Sequence, residues 1–169
     1  ATERPYRVMR HRMGTPQADD QIVYTDDDER FFVGVGSTLS DEWIIISSGS
    51  KITSEQWLVP AADPTADPVC VRPREDGVEY DVDHWGDVLT VHTNLDAEDF
   101  RIMTALPADP SVWTELVPHE SGRMIDGVQP FAGHLVIHEW VAAQPRMRVL
   151  FRDGTVRVVD AMDEPHTIG

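Results

Sequence analysis

The sequence predicts an all-β fold, a partial β-propeller of about three four-stranded antiparallel blades preceded by half of another blade. One observation is a short apolar run that recurs with a period of about 45 residues, the length expected of a propeller blade, at residues 43–46, 88–91 and 135–138. A second is the pattern Pro-x-Glu-x-Gly, which recurs in the same phase at residues 73–77 and 118–122. Since one such repeat cannot bury its own faces, the chain is expected to be part of a stacked array.

Each repeat divides into four predicted strands, because turn residues interrupt the chain every few positions. The 11 Gly and 12 Pro residues favour short strands between turns over helices. Two strands, residues 6–12 and 21–25, are predicted to form the outer half of a preceding blade. The strands of the three repeats are predicted at residues 30–36, 43–48, 56–60 and 68–72, then 79–83, 88–93, 100–106 and 114–117, then 126–131, 135–141, 146–152 and 155–160.

The predicted organisation is one incomplete propeller domain. Residues 1–29 form the half-blade and its connection, and residues 30–77, 78–122 and 123–169 form one blade each. In the last blade, Asp153-Gly154 lies between two apolar runs. Because both residues tolerate a positive φ, they predict a two-residue type I′ hairpin turn. Both ends of the chain are expected to lie inside a larger array.

The composition limits the partners and the compartment. Thirty acidic residues against 14 Lys and Arg give a net charge of -16, which repels nucleic acid and anionic membrane and attracts basic peptides. Solubility or adaptation to salt would produce the same composition. No apolar stretch approaches the roughly 20 residues of a membrane span. The single cysteine, Cys70, excludes a disulfide within the chain and favours a reducing, cytoplasmic location, with Cys70 as a buried core residue.

Several residue patterns resemble catalytic or metal-binding motifs, but a structural role explains each of them better. No Gly-x-Ser-x-Gly motif marks a nucleophile. His134 and His138 lie on a predicted strand, where a spacing of four residues is some 13 Å at about 3.3 Å per residue, too far to share a metal ion. The acidic run at residues 26–29 lacks the pattern of a calcium loop and is expected to form a solvated connection. No metal, cofactor or catalytic residue is therefore predicted.

The candidate site is a strand with alternating acidic residues. Alternation places Glu79, Asp81 and Asp83 on one face of the strand and the intervening side chains on the other. The first strand of a propeller blade lines the central channel, so these acids are candidates for an acidic channel wall or an interdomain contact. The alternative is a set of salt bridges between blades, for which Arg74 is a candidate partner.

Several short tracts, spread over nearly the whole chain, follow the pattern of a known peptidase family. They are residues 4–6, 11–14, 23–24, 28–31, 46–50, 73–75, 79–84 and 93–101, of which Ile46-Ser47-Ser48-Gly49-Ser50 and the stretch 73–84 are the most specific. In these tracts the chain resembles the oligopeptidase B group (protease II) of the prolyl oligopeptidase family of serine peptidases.

The resemblance implies a role in a larger enzyme. In that family a seven-bladed propeller caps an α/β-hydrolase domain that carries a Ser-Asp-His triad and an acidic pocket for Arg or Lys. This chain matches only middle-to-late blades, and no triad or pocket residue corresponds to any of its positions. The resemblance thus implies a non-catalytic propeller segment that gates access of short basic peptides and contacts the C-terminal catalytic domain of the same parent chain. The isolated chain is expected to be inactive.

Two other functions stay open on the sequence alone. A stand-alone β-propeller-like protein-binding module without enzymatic role would have complete blades and a hydrophobic top surface. A free-standing β-sandwich would have no repeat. A propeller segment also leaves strand edges and apolar blade faces uncovered, so the isolated chain is expected to self-associate.

Overall fold

The structure of the protein is a computed structural model that describes residues 3–159. Over these residues it contains fourteen β-strands and one short 3-10 turn, Gln17–Asp19. The strands are β1 (Arg7–Arg10), β2 (Gln21–Thr25), β3 (Phe32–Ser37), β4 (Trp43–Gly49), β5 (Ser54–Pro60), β6 (Val69–Cys70), β7 (Tyr80–Trp85), β8 (Val88–Thr93), β9 (Arg101–Leu106), β10 (Asp109–Val117), β11 (Arg123–Phe131), β12 (His134–Val141), β13 (Gln144–Phe151) and β14 (Val156–Val159).

Strands that follow one another in the chain are antiparallel neighbours within each sheet. β1 and β2 form a two-stranded sheet, and β3–β6, β7–β10 and β11–β14 each form a four-stranded sheet. The predicted fold class, a half-blade followed by three four-stranded antiparallel blades, is confirmed. The blade limits proposed after residues 29, 77 and 122 lie between these sheets and stay predictions.

The observed strands differ from the predicted ones mainly at their ends. β6 is shorter than the predicted strand at residues 68–72, because it pairs only with Trp57 and Leu58 of β5. β10 is longer than the predicted strand at residues 114–117, because pairing with β9 resumes directly after the two-residue turn at residues 107–108. A register shift between Asp109 and Thr114 accommodates the additional residues.

The first of two compact units ends at Glu79, and its core lies between the half-blade and the sheet β3–β6. Val33, Ile46 and Val59 are buried there. Val8 of β1 and Val23 of β2 pack against them. Because a two-stranded sheet is at best marginally stable by itself, this contact stabilises the half-blade, together with the hydrogen bond from the Val33 N–H to the Pro5 carbonyl at 2.8 Å.

The second unit begins at Tyr80 and contains the sheets β7–β10 and β11–β14. One buried apolar cluster joins the two sheets, and its members are Trp85, Ile102, Val117, Ile125, Leu135, Ile137 and Leu150. Trp85 also donates its indole Nε1–H to the carbonyl oxygen of Phe131 at 2.8 Å. Fully burying each large aliphatic or aromatic side chain contributes about 1.5–3 kcal/mol. The interface between the two sheets is therefore the core of this unit.

Two hairpin turns of the last sheet differ from the prediction. The predicted type I′ turn at Asp153-Gly154 is wrong, because only Gly154 has a positive φ, at 84°. The Gly154 N–H donates to the Phe151 carbonyl at 3.0 Å, so the loop is a tight turn followed by a left-handed glycine, as in three-residue hairpin loops. The two-residue turn with positive φ at both positions is instead Ala142-Ala143, with φ of 50° and 61°.

Alanine at both positions strains this turn, because the left-handed region costs roughly 1 kcal/mol for a residue with a Cβ. Replacing Ala142 by Asn and Ala143 by Gly should therefore raise the free energy of unfolding by about 1 kcal/mol. Urea denaturation measures the change. The control is Ala108→Gly in the β9–β10 turn, where φ is not positive and glycine should lower the free energy of unfolding by about 0.5 kcal/mol. Equal effects at the two turns would exclude strain as the cause.

Candidate functional site

The predicted acidic residues lie on β7, an edge strand of its sheet, and directly before it. Asp81 is exposed and Asp83 half-buried, whereas the intervening Tyr80 and Val82 are buried. Glu79, also half-buried, immediately precedes β7. The alternation that the sequence predicts along this strand is therefore present in the structure.

Asp81 and Asp83 share one face of β7 with Trp85, because the three residues alternate along the strand. Trp85 belongs to the apolar cluster between the two sheets of the second unit, and β7 contacts β11 of the neighbouring sheet. The two carboxylates thus lie on an edge strand beside that sheet. Their position at a channel or at an interdomain surface stays a prediction.

Arg74, the fourth predicted site residue, binds two carboxylates of the first unit. Its Nη2 lies 2.5 Å from Asp26 Oδ2 and 3.6 Å from Glu55 Oε1. Its backbone N–H donates to Glu55 Oε2 at 2.9 Å, and its guanidinium lies 4.0 Å from the centre of the Phe31 ring. Arg74 therefore ties the segment after β6 to β5 and to the connection between β2 and β3.

Asp26 is buried, which corrects the expectation that the whole acidic run at residues 26–29 is solvated. Its side chain is 4% exposed. Ser48 of β4 donates to Asp26 Oδ2 at 2.6 Å, and the backbone N–H of Asp28 donates to Oδ1 at 3.0 Å. Burial raises the pKa of Asp26, but the hydrogen bonds from Ser48, Arg74 and the Asp28 backbone outweigh it and hold this pKa below its usual value. Asp26 is therefore a buried anion.

Glu55 and Tyr24 extend the same network toward the half-blade. The Tyr24 hydroxyl donates to Glu55 Oε1 at 3.3 Å, and Trp57 Nε1–H donates to the same oxygen at 3.0 Å. Burial, together with the charges of Glu55 and Asp26, raises the pKa of Tyr24 to about 12 against the hydrogen bond with Ser48. Like any tyrosine, Tyr24 is protonated at neutral pH, and its hydroxyl serves as a donor. The sequence patterns indicated none of these partners of Arg74.

A second ionic cluster surrounds Glu139 of β12 in the second unit. Glu139 Oε2 accepts hydrogen bonds from Arg146 Nε at 3.1 Å and from Arg146 Nη2 at 2.8 Å. Arg148 Nη2 lies 2.5 Å from Glu139 Oε1, and Arg123 Nε lies 3.7 Å from it. The hairpin register of β12 and β13 pairs Glu139 with Arg146. Extending the hairpin register back from the turn would have predicted this pairing from the sequence.

Other polar residues of the described structure have structural roles. His134 stacks on Phe131 with ring centres 5.1 Å apart. Burial and the charge of Glu55 raise the pKa of half-buried Cys70 to about 11, so its thiol is protonated at neutral pH. Among residues 3–159, no three His, Cys, Asp or Glu side chains gather as metal ligands. Across the same residues, no helix has the length and apolar character needed to cross a membrane.

Comparison with known families explains the fold. The chain matches the prolyl oligopeptidase N-terminal β-propeller domain over residues 1–168. It belongs to this family. Dipeptidyl aminopeptidase BI of Pseudoxanthomonas mexicana is 36% identical over 167 residues, which cover 96% of this chain and 23% of that protein. Protease 2 of Moraxella lacunata is 30% identical over 135 residues, which cover 80% of this chain and 20% of that protein.

Solved structures of oligopeptidase B carry the same propeller segment. The Trypanosoma brucei enzyme, in its closed form with covalently bound antipain, aligns with a TM-score of 0.86 at 35% identity and covers 96% of this chain and 24% of its own. The Leishmania major enzyme aligns with a TM-score of 0.88 at 27% identity and the same coverage. The resemblance to oligopeptidase B is therefore confirmed. The chain spans about a quarter of the length of these relatives.

Replacing Asp26 by Asn tests the buried ionic network of this propeller domain. The change should lower the free energy of unfolding at pH 7 by about 3 kcal/mol, because it removes one partner of a largely buried ion pair. Because the pKa of Asp26 is lowered in the folded state, its contribution is complete above about pH 5 and is lost as the pH falls through the folded pKa. Urea denaturation at pH 7 and at pH 3 should therefore show a weaker pH dependence in the variant than in the wild type.

The matched control is Asp27→Asn, the exposed neighbour in the same run. It removes the same charge without touching the network and should change the free energy of unfolding by less than about 0.5 kcal/mol. Equal losses in both variants would mean that net charge, and not the Asp26–Arg74 pair, sets the acid sensitivity.

Proposed function

We propose that the chain is part of the non-catalytic propeller of a serine peptidase that cleaves short peptides after Arg or Lys. In this proposal the segment restricts access of peptides and contacts a C-terminal α/β-hydrolase domain of the same parent chain. Membership of the prolyl oligopeptidase propeller family supports the role. The names of the relatives, a dipeptidyl aminopeptidase, a Protease 2 and two oligopeptidases B, support peptide hydrolysis by the parent.

The acidic face of β7 is the observation that carries the role in peptide access. Asp81 is exposed on an edge strand, with Asp83 two residues further on the same face. The net charge of -16 adds a field that attracts Arg- and Lys-containing peptides. Salt screens such attraction beyond about 8 Å at physiological ionic strength. Only acidic residues close to the bound peptide would therefore attract it. Individual acids such as Asp81 thus matter more for peptide binding than the net charge of the whole chain.

The isolated chain should not hydrolyse peptides, because it contains neither a nucleophile elbow nor triad partners. The assay is release of a chromophore from an Arg-terminated peptide amide by the purified chain. No turnover above the background is expected. Turnover that persists after treatment with an inhibitor of contaminating trypsin-like proteases and after a further purification step would contradict the proposal that this segment is non-catalytic.

Replacing Asp81 and Asp83 together by Asn in the full-length parent should weaken binding of basic peptides. We expect KM for peptides of several residues with Arg or Lys to rise about fivefold, since each lost exposed interaction is worth about 0.5 kcal/mol. kcat should stay within twofold of the wild type, because the triad lies elsewhere. Steady-state kinetics at low and high salt measures both constants, and the rise in KM should shrink at high salt.

The control for this experiment is the pair Asp27→Asn and Glu29→Gln, which removes the same two charges from exposed positions of the first unit. This variant should leave KM unchanged. If both double variants raise KM equally, the acids act only through net charge. If neither does, Asp81 and Asp83 do not contact the peptide's path.

We also propose that the isolated chain self-associates through the last sheet. On the face of β11–β14 opposite the apolar cluster, Met124 is 41% exposed, Phe131 46% and Trp140 40%. Removing such area from water contributes about 25 cal/mol per Å². Sedimentation of the chain at micromolar concentration should reveal dimers or larger species, and more of them at high salt, because salt screens the repulsion between chains of the same charge. A monomer at both salt concentrations would contradict the proposal.

A further inference from the structure

The cluster around Glu139 contains more positive than negative charge. Three guanidinium groups, those of Arg123, Arg146 and Arg148, lie within 4 Å of its single carboxylate. One other carboxylate, that of Glu120, lies 2.6 Å from Arg123 Nη1 and is 65% exposed. Three cations against two anions leave one excess positive charge. Such an excess is unusual in a chain with a net charge of -16.

The donors of this cluster also outnumber its acceptors. Glu139 Oε2 is occupied by two hydrogen bonds from Arg146, and Arg123 Nη2 donates to the Pro118 carbonyl at 2.8 Å. Arg148 Nη2 and Glu139 Oε1 lie 2.5 Å apart as an ion pair outside hydrogen-bond geometry, and, within the part of the chain that the structure describes, the buried Nε atoms of Arg123 and Arg148 make no hydrogen bond. An unmatched buried donor is costly, by about 1–3 kcal/mol and more for a charged group. These two nitrogens therefore call for a further acceptor.

The electrostatics of Arg148 agree with this charge imbalance. Its side chain is only 13% exposed. Burial lowers its pKa, and the like charges of Arg123 and Arg146 lower it further, against the opposing effect of Glu139. An additional anion beside Arg148 would relieve both the repulsion and the unmatched donors.

The geometry also limits the class of anion. Arg146 is 33% exposed and forms the side of the cluster that is open to solvent, whereas Arg123 and Arg148 are 10% and 13% exposed. A planar group with two oxygens fits the fork of a guanidinium. One negative charge would neutralise the excess, whereas a doubly charged phosphate would reverse it. A monovalent carboxylate satisfies both conditions.

We propose that Arg146 and Arg148, with Arg123 behind them, bind a second carboxylate beside that of Glu139. The carboxylate comes from the C-terminus of a peptide or from an acidic side chain, which offer the same two oxygens and the same charge. The four residues of this site lie on β11, β12 and β13 of the last sheet. The proposal goes beyond the proposed peptidase role and does not depend on it.

The test is a titration of the wild-type chain followed by the 1H–15N signals of arginine Nε, which report each guanidinium separately. The probes are acetate, a capped dipeptide with a free C-terminal carboxylate, its C-terminal amide, and a capped peptide amide with one Glu side chain. Chloride keeps the ionic strength constant. For one bidentate contact we expect saturation with a Kd of about 1–10 mM, with the signals of Arg146 and Arg148 moving and those of exposed arginines unchanged.

The probes distinguish the two sources of the carboxylate. Tighter binding of the free-acid peptide than of acetate or the Glu peptide assigns the site to a peptide C-terminus. Tighter binding of the Glu peptide assigns it to an acidic side chain. In either case the uncharged amide should cause no shift. The absence of saturable shifts at about 100 mM, ten times the weakest expected Kd, or equal shifts with chloride, would overturn the proposal.

Two variants connect the shifts to the cluster. Arg148→Gln should weaken carboxylate binding at least tenfold, because it removes the guanidinium with the unmatched donors. Arg157→Gln, which changes an exposed arginine of β14 stacked on Phe151, should leave binding unchanged. If Arg148→Gln does not fold, Arg146→Lys provides the comparison, because it keeps the charge but loses the fork and should weaken binding about tenfold. Unchanged binding in the folded variant would also overturn the proposal.

Discussion

The stacking of one sheet on the next is the constraint on which this structure depends. A four-stranded antiparallel sheet has two faces, and its own strands can cover neither of them. In the second unit the buried apolar side chains lie between two sheets, with Trp85 and Ile102 on one side and Leu135 and Ile137 on the other. In the first unit the two-stranded half-blade uses the sheet β3–β6 in the same way. The stability of each sheet therefore resides largely in its neighbour.

Two buried ionic networks accompany these apolar contacts, one in each unit. Asp26 brings together Arg74, Ser48 and the half-blade connection, and Glu139 brings together three arginines from two strands of the last sheet. Burying such charges is expensive unless each finds its partner. Tracts of the family resemblance supply several members of the first network, including Tyr24, Ser48 and Arg74.

The strands and their order could be predicted from the sequence because apolar runs and turn residues are local signals. Interactions between residues that are far apart in the sequence could not be predicted. Asp26 is one of four consecutive acids, and no local pattern separates the buried one from its solvated neighbours. The Ala142-Ala143 turn was missed because neither residue favours positive φ, whereas Asp153-Gly154 carried a strong turn signal but formed a longer loop. The alternation of Asp81 and Asp83 was predictable because a strand has period two.

The most direct test of the stacking account is native-state hydrogen exchange of the second unit after Leu135→Ala. Leu135 lies on β12, fully buried against the neighbouring sheet, and its truncation should cost about 2–5 kcal/mol. If each sheet is stabilised by its neighbour, backbone amides of β8 and β9 in the preceding sheet should lose as much protection as those of β12 and β13. Loss of protection confined to the sheet β11–β14, with β8 and β9 unchanged, would contradict the account.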